Sequence, residues 1–159
     1  MDNEQFKLLV QNTQYALLAT IQKMIFNTEA ARDIAQEAYL KIWENQHQIN
    51  PEGKTESLLF KIAINKSIDF LRIKKNRNTP LDLIEPVSEN EFDAHENQSS
   101  RLLQKVLKHA ATLKPKQQIC FILRDVEGYR LADIADILEL NEQAVRSNLH
   151  YARQKMQLK

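Results

Sequence analysis

Gln143, Arg146, Ser147, Asn148 and His150 crowd into one short stretch near the end of this chain of 159 residues. These are the residue types that read base pairs. Arginine matches the paired acceptors of guanine, and an amide matches the donor–acceptor edge of adenine. Their spacing is as telling as their chemistry, because they alternate with Val145, Leu149, Ala152 and Met156, which fall on one helical face. The polar residues therefore point away from whatever that face packs on. A second group, Lys61, Asn65, Lys66 and Arg72, combines cations with an amide. A third, Asp33, Gln36 and Glu37, lies at i, i+3 and i+4, so the three share one side of a helix.

Metal and nucleophile chemistry find no footing. His47, His95, His109 and His150 are dispersed, with no cysteine at ligand spacing. No glycine-rich phosphate loop exists, and no Ser or Cys has an identifiable base. No metal and no cofactor is expected. The lone Cys120 lies within Ile119-Cys120-Phe121-Ile122-Leu123, the setting of a buried structural thiol, and one cysteine cannot make an internal disulfide. With no export signal and no long charge-free apolar run, the chain is expected to be cytoplasmic and not inserted in a membrane.

The elements that must position these groups are helices. Two Gly and four Pro leave little turn chemistry for a sheet, and helical spacing recurs almost everywhere, so the fold class is all-α. The pattern predicts helices over about 3–26 and 29–46, with Asn27-Thr28 breaking the first and capping the second. A loop with Pro51 and Gly53 follows. A third helix is expected over about 55–75, with Leu59, Ile62, Ala63, Phe70 and Ile73 on its apolar side. Residues 79–100 change character, with Pro80, Pro86, Ser88 and an acidic run, and read as a flexible linker. A helix over about 101–113 comes next, then one opened by Pro115 at its first position, where a missing N–H costs nothing, ending near Gly128. Leu131, Ile134, Ala135 and Leu138 mark a short helix. After a tight turn, Asn141 is placed to cap the last helix, 142–156. Two short helices around a tight turn, with a small residue at the crossing, make a helix-turn-helix. Pattern alone leaves open whether that pair binds DNA or is simply core.

The charge distribution bears on the choice. The net charge of +1 is a sum of blocks. From Lys54 to Asn78 seven basic residues face only Glu56 and Asp69, from Leu81 to Ser100 six acids stand without Lys or Arg, and from Arg101 to Arg124 there is no acid. Segregated charge of this kind suits separate partner surfaces.

Two stretches resemble one family. Residues 113–138, Leu-Lys-Pro-Lys-Gln-Gln-Ile-Cys-Phe-Ile-Leu-Arg-Asp-Val-Glu-Gly-Tyr-Arg-Leu-Ala-Asp-Ile-Ala-Asp-Ile-Leu, resemble region 4 of bacterial sigma factors of the extracytoplasmic-function group, and Asn141 to Met156 resembles its recognition helix. Ala31-Arg-Asp-Ile-Ala-Gln-Glu-Ala-Tyr-Leu-Lys-Ile-Trp43 resembles the family's region 2, as do Phe60-Lys-Ile-Ala-Ile-Asn65 and Asp69-Phe-Leu-Arg72. The resemblance implies two small helical domains, region 2 over 3–78 and region 4 over 101–159, joined by the linker. It implies an initiation factor, not an enzyme, which binds core RNA polymerase through the clamp helices of the largest subunit and the flap of the second largest. An anti-sigma protein is a further partner the family implies.

On that resemblance Asp33, Gln36 and Glu37 grip polymerase, Lys61, Asn65, Lys66 and Arg72 meet the minus-10 element, and Gln143, Arg146, Ser147, Asn148, Arg153 and Lys155 meet the minus-35 element. Asn65 and the loop 48–56 are the candidates for holding unstacked bases. Asp69 orients Arg72 or Asn65, since a carboxylate is repelled by phosphates. Lys74, Lys75 and Arg77 either track the backbone or form a solvated tail, and Lys116 and Arg130 are weaker phosphate candidates. The chain departs from the pattern at Leu58 (usually Trp), Glu139 (often Gly), Ala144 (often Thr), and Asn148 and Tyr151 (often Arg). Fewer cations on the recognition helix imply weaker minus-35 binding. Two other readings compete: a stand-alone helix-turn-helix regulator, and a sigma-like protein-interaction module without promoter function.

Overall fold

The first helix begins where the chain can cap it. Asp2 accepts from the Gln5 backbone N–H at 2.8 Å, while the Gln5 side chain accepts from the Asp2 N–H at 2.9 Å, a reciprocal pair that satisfies two free donors. In this computed structural model, which describes residues 1–49, 54–76 and 98–157, α1 runs Asn3–Ile25 and ends at Phe26 in the left-handed conformation. Asn27 caps α2 (Thr28–Glu44), accepting from the Ala30 N–H at 3.0 Å. α3 spans Thr55–Asn76. These three pack on one another in every pairing, burying Leu17, Ile21, Met24, Ile42, Leu59 and Ile64.

α4 (Gln98–Ala110) starts three residues before its expected Arg101; the rest of the expected linker lies outside the described residues. α5 (Pro115–Phe121) opens on its proline as expected and runs into a π-helical turn, Ile122–Val126. The Glu127 N–H reaches back to the Ile122 carbonyl at 2.9 Å, and Gly128, at φ +79, turns the chain out of the helix. α6 (Leu131–Leu138) and α7 (Glu142–Gln157) form the helix-turn-helix. Asn141 caps α7, accepting from the Ala144 N–H at 2.7 Å. Among the described residues there is no strand. No described helix is long and apolar enough to cross a membrane.

Two features of the buried surface, the first a departure from the stripe expected for α3, share one cause. On α3 the buried stripe is Leu59, Ala63, Ile64, Ser67, Ile68 and Leu71, while Ile73 is exposed. Ser67 interrupts the stripe in the sequence, yet it sits in the core because its hydroxyl donates to the Ala63 carbonyl at 2.9 Å. On α5 and its π turn every residue from Gln118 to Leu123 is buried, so there is no single apolar face. Both helices are covered from two sides. α3 packs not only on α1 and α2 but also on α5 and α6, and α5 packs on α7 as well. The two sets of helices share one continuous apolar core.

Candidate nucleic-acid interface

α7 presents its expected face. Val145, Leu149 and Ala152 are buried, Met156 half-buried, and Gln143, Arg146, Ser147, His150, Arg153 and Lys155 exposed. Two of the expected readers are occupied within the protein. Arg153 makes a bidentate pair with Asp125, at 2.9 Å from Nε and 2.7 Å from the second guanidinium nitrogen, and those hydrogen bonds hold its guanidinium above the usual arginine value. Asn148 is half-buried, and its amide donates to the Ala144 carbonyl at 2.9 Å in its own helix. Arg146 is exposed and approaches Glu142 only loosely, at 3.9 Å.

Sequence reasoning missed Arg124. It joins Arg146, His150 and Arg153 around an open groove of about 600 Å³, and its guanidinium is anchored by donation to the Tyr129 carbonyl at 2.8 Å. The signal was absent from the sequence because the π turn, not a regular helix, decides where residues 124–127 point. That same turn lays Asp125 against Arg153 on α7 and Glu127 against Lys23 on α1, at 2.8 Å. Arg130, expected to be a weak phosphate candidate, is exposed and pairs with Asp133 at 3.1 Å.

On α2, Asp33, Gln36 and Glu37 are exposed together with Leu40. Beside them lies an apolar groove of about 560 Å³, lined by Phe6, Val10, Tyr39, Leu40 and Trp43 among others. Phe6 meets Trp43 edge-on with ring centroids 5.0 Å apart. The Tyr39 hydroxyl bonds to Thr13 at 2.7 Å, and burial raises its pKa. Tyr39 and Trp43 are half-buried, at the edge of the core.

The α3 group is brought together but not left open. Lys61, Asn65 and Lys66 are half-buried, and Arg72 is exposed. Lys66 reaches Glu37 of α2 at 3.3 Å, and Lys61 lies 3.8 Å from Glu139. Asn65 donates at 2.8 Å to the Lys61 carbonyl and at 2.8 Å to the carbonyl of Ile137 in the helix-turn-helix. Asp69 is exposed. The loop 48–56 is outside the described residues over 50–53. Burial lowers the Lys75 pKa, with Lys155 as a like-charged neighbour. Among the described residues no cluster of His, Cys, Asp or Glu could hold a metal ion.

Two family models match this chain. Sigma-70 region 2 matches residues 9–77 and Sigma-70 region 4 matches residues 103–156, together about three quarters of the sequence. Curated relatives match along nearly its whole length. The ECF RNA polymerase sigma-E factor of Haemophilus influenzae is 25% identical over 168 aligned positions, covering 99% of this chain and 88% of that protein. The ECF RNA polymerase sigma factor SigW of Bacillus subtilis is 24% identical, covering 96% and 87%. Among solved structures, the sigma factor RpoE of Bartonella quintana, determined in complex with the anti-sigma factor NepR, superposes with a TM-score of 0.68 at 24% identity, over 96% of this chain and 94% of that one. CnrH, determined in complex with the cytosolic domain of CnrY, gives 0.66 at 20% identity. With both conserved-region models in order on one chain, and a helix-turn-helix where the second requires it, this protein belongs to the sigma-70 family, in its extracytoplasmic-function group.

Proposed function

We propose that the chain uses α2 to hold polymerase, α3 to hold the opened minus-10 strand and α7 to read the minus-35 duplex. As a sigma factor of this group it binds core RNA polymerase and directs promoter recognition, DNA opening and initiation. The chemistry of RNA synthesis belongs to the polymerase; this chain is an initiation factor and works in the cytoplasm, where the polymerase is.

The observation that carries the assignment is the separation of three faces by chemistry. An acidic and amide face, Asp33, Gln36 and Glu37, adjoins an apolar groove and suits a basic helical partner. A face of Lys61, Asn65, Lys66 and Arg72 suits a phosphate backbone with unstacked bases. The exposed side of α7, with Gln143, Arg146 and Ser147, suits a major groove. Asn148, tied to its own helix, and Arg153, tied to Asp125, serve position more than readout. Region 2 accordingly occupies 3–78, a connecting segment 79–100 and region 4 the remainder. An anti-sigma protein is a further partner, supported by the structural neighbour RpoE, determined with the anti-sigma factor NepR bound. The flap of the second-largest polymerase subunit is the partner proposed for region 4.

The test is run-off transcription by purified core polymerase on fragmented DNA of the source genome, with and without the chain. Discrete start sites that need the chain are expected, and their upstream sequences would give both promoter elements. Duplex binding by the chain alone, with no effect on core polymerase, would replace this reading with a stand-alone regulator. Core binding without transcripts would replace it with an interaction module.

A further inference from the structure

Of the arginines that border the groove beside α7, one is gripped from behind. Asp125 gives both carboxylate oxygens to Arg153, one to Nε at 2.9 Å and one to a terminal guanidinium nitrogen at 2.7 Å. Such fork-on-fork pairing fixes direction as well as distance. The carboxylate lies deeper than the guanidinium, with 29% of its side chain exposed against 48%. A guanidinium has five N–H donors, and the pair uses two of them. The others stay open to a ligand in the groove, which Arg124, Arg146 and His150 also line.

The π turn is what brings Asp125 to that place. Its hydrogen bond, from the Glu127 N–H to the Ile122 carbonyl at 2.9 Å, spans one residue more than an α-helical one. Residues 124–127 thereby leave the register of α5, while the fully buried Ile122 and Leu123 anchor the start of the turn. The same segment fixes Arg124, whose guanidinium donates to the Tyr129 carbonyl at 2.8 Å.

The two arginines of α7 therefore differ in kind. Arg146 meets only Glu142 of its own helix, at 3.9 Å, and is more exposed than Arg153. A cation held so loosely can follow a phosphate in any register, and it adds affinity for every duplex alike. A cation fixed beforehand contributes where a phosphate arrives at its free edge, and its ordering is complete before DNA binds. Toward DNA standing anywhere else, the carboxylate behind it cancels much of its charge.

We propose that Asp125 is a positioning residue for duplex recognition. It holds Arg153 so that the guanidinium meets a backbone phosphate in one register of α7, turning a cation that would favour any duplex into one that favours the cognate duplex. This rests on the assignment of α7 to the minus-35 duplex.

The test compares two duplexes of equal length on core polymerase loaded with the full chain. One carries the upstream promoter element recovered by run-off transcription, and the other has that element scrambled. Anisotropy titrations over a salt series give the ratio of the two affinities and the salt dependence of each. Asp125→Asn keeps the size of the side chain but loses its charge and one of its two acceptors. It is expected to lower the affinity ratio about fivefold, chiefly by tightening the scrambled duplex, whose salt slope should steepen by about one as Arg153 joins the phosphate contacts. Arg153→Lys keeps the charge without the fork, and a similar fall in the ratio is expected. In an Arg153→Ala background, Asp125→Asn should leave the ratio where it is. The same fall there would overturn the proposal, because Asp125 would then act on DNA by its own charge. If the unaltered chain does not distinguish the two duplexes, the assignment of α7 fails and this inference with it. If it distinguishes them and either single variant does so equally well, the inference alone fails.

Discussion

α2 and α3 are neighbours in one bundle, yet they meet the outside differently. The face of α2 proposed for polymerase is open: Asp33, Gln36, Glu37 and Leu40 are exposed beside an apolar groove. The face of α3 proposed for DNA is half-covered, with Lys61, Asn65 and Lys66 each committed to a partner in the protein. The surface that needs no change of shape is the one proposed for polymerase, and the surface that must be uncovered is the one proposed for DNA. The Glu37–Lys66 pair lies between the two faces, so a partner that engages Glu37 also frees Lys66.

The severest challenge to that contrast is a cavity in the second half of the core. Leu123 is fully buried at the start of the π turn, and Leu123→Ala is expected to cost about 2–5 kcal/mol of unfolding free energy. If α3 is covered by the second half, amide hydrogen exchange should accelerate over α5–α7 and also over residues 61–68 of α3. Residues 28–44 of α2, which rest on α1 and α3, should keep their protection. Uniform acceleration along the whole chain would mean that the two faces are not distinguished by their cover.

A smaller effect probes the open face by itself. Asp33→Ala together with Gln36→Ala removes exposed side chains, so stability should change by less than about 0.5 kcal/mol. Affinity for core polymerase should fall about 10- to 100-fold, or ~1.4–2.8 kcal/mol. The single tryptophan, Trp43, borders this face and supplies the fluorescence signal for the titration. Unaltered affinity would move the polymerase contact elsewhere.

What was legible in the sequence was whatever depends on neighbours close along the chain. Asn27, Asn141 and Pro115 mark helix starts because capping is a local transaction between a side chain and the next turn. The stripe Val145, Leu149, Ala152 and Met156 was legible for the same reason. What was not legible depends on the second half of the molecule folding onto the first. Ile137 lies off the stripe read for α6, yet it is buried, and its carbonyl meets Asn65, 72 positions away in sequence. Ile73 looked like core and is exposed. The π turn has no pattern of its own, and with it went Arg124 and the Asp125–Arg153 pair. The partners of the proposed site residues could not be read: Asn65 and Lys61 find theirs in the second half, and Asp125, the partner of Arg153, is placed by the π turn.

The smallest expected effect tests whether the recognition helix is set by its own cap or by the closure around it. Asn141 accepts from the Ala144 N–H at 2.7 Å, satisfying one of the free donors at the start of α7. Asn141→Ala should cost about 0.5–2 kcal/mol. The loss should be confined to the first two turns of α7, which carry Gln143, Arg146 and Ser147, the residues proposed to face the groove. Duplex binding at the minus-35 element is then expected to weaken several-fold, with polymerase affinity unchanged, and the two are measured on the same preparation by anisotropy and by Trp43 fluorescence. Asn141→Ser retains a capping oxygen and should restore most of the binding. Failure of serine to restore it, with the fold intact, would mean that Asn141 contacts DNA directly. The polar end of α7 would then begin one residue earlier than the helix itself.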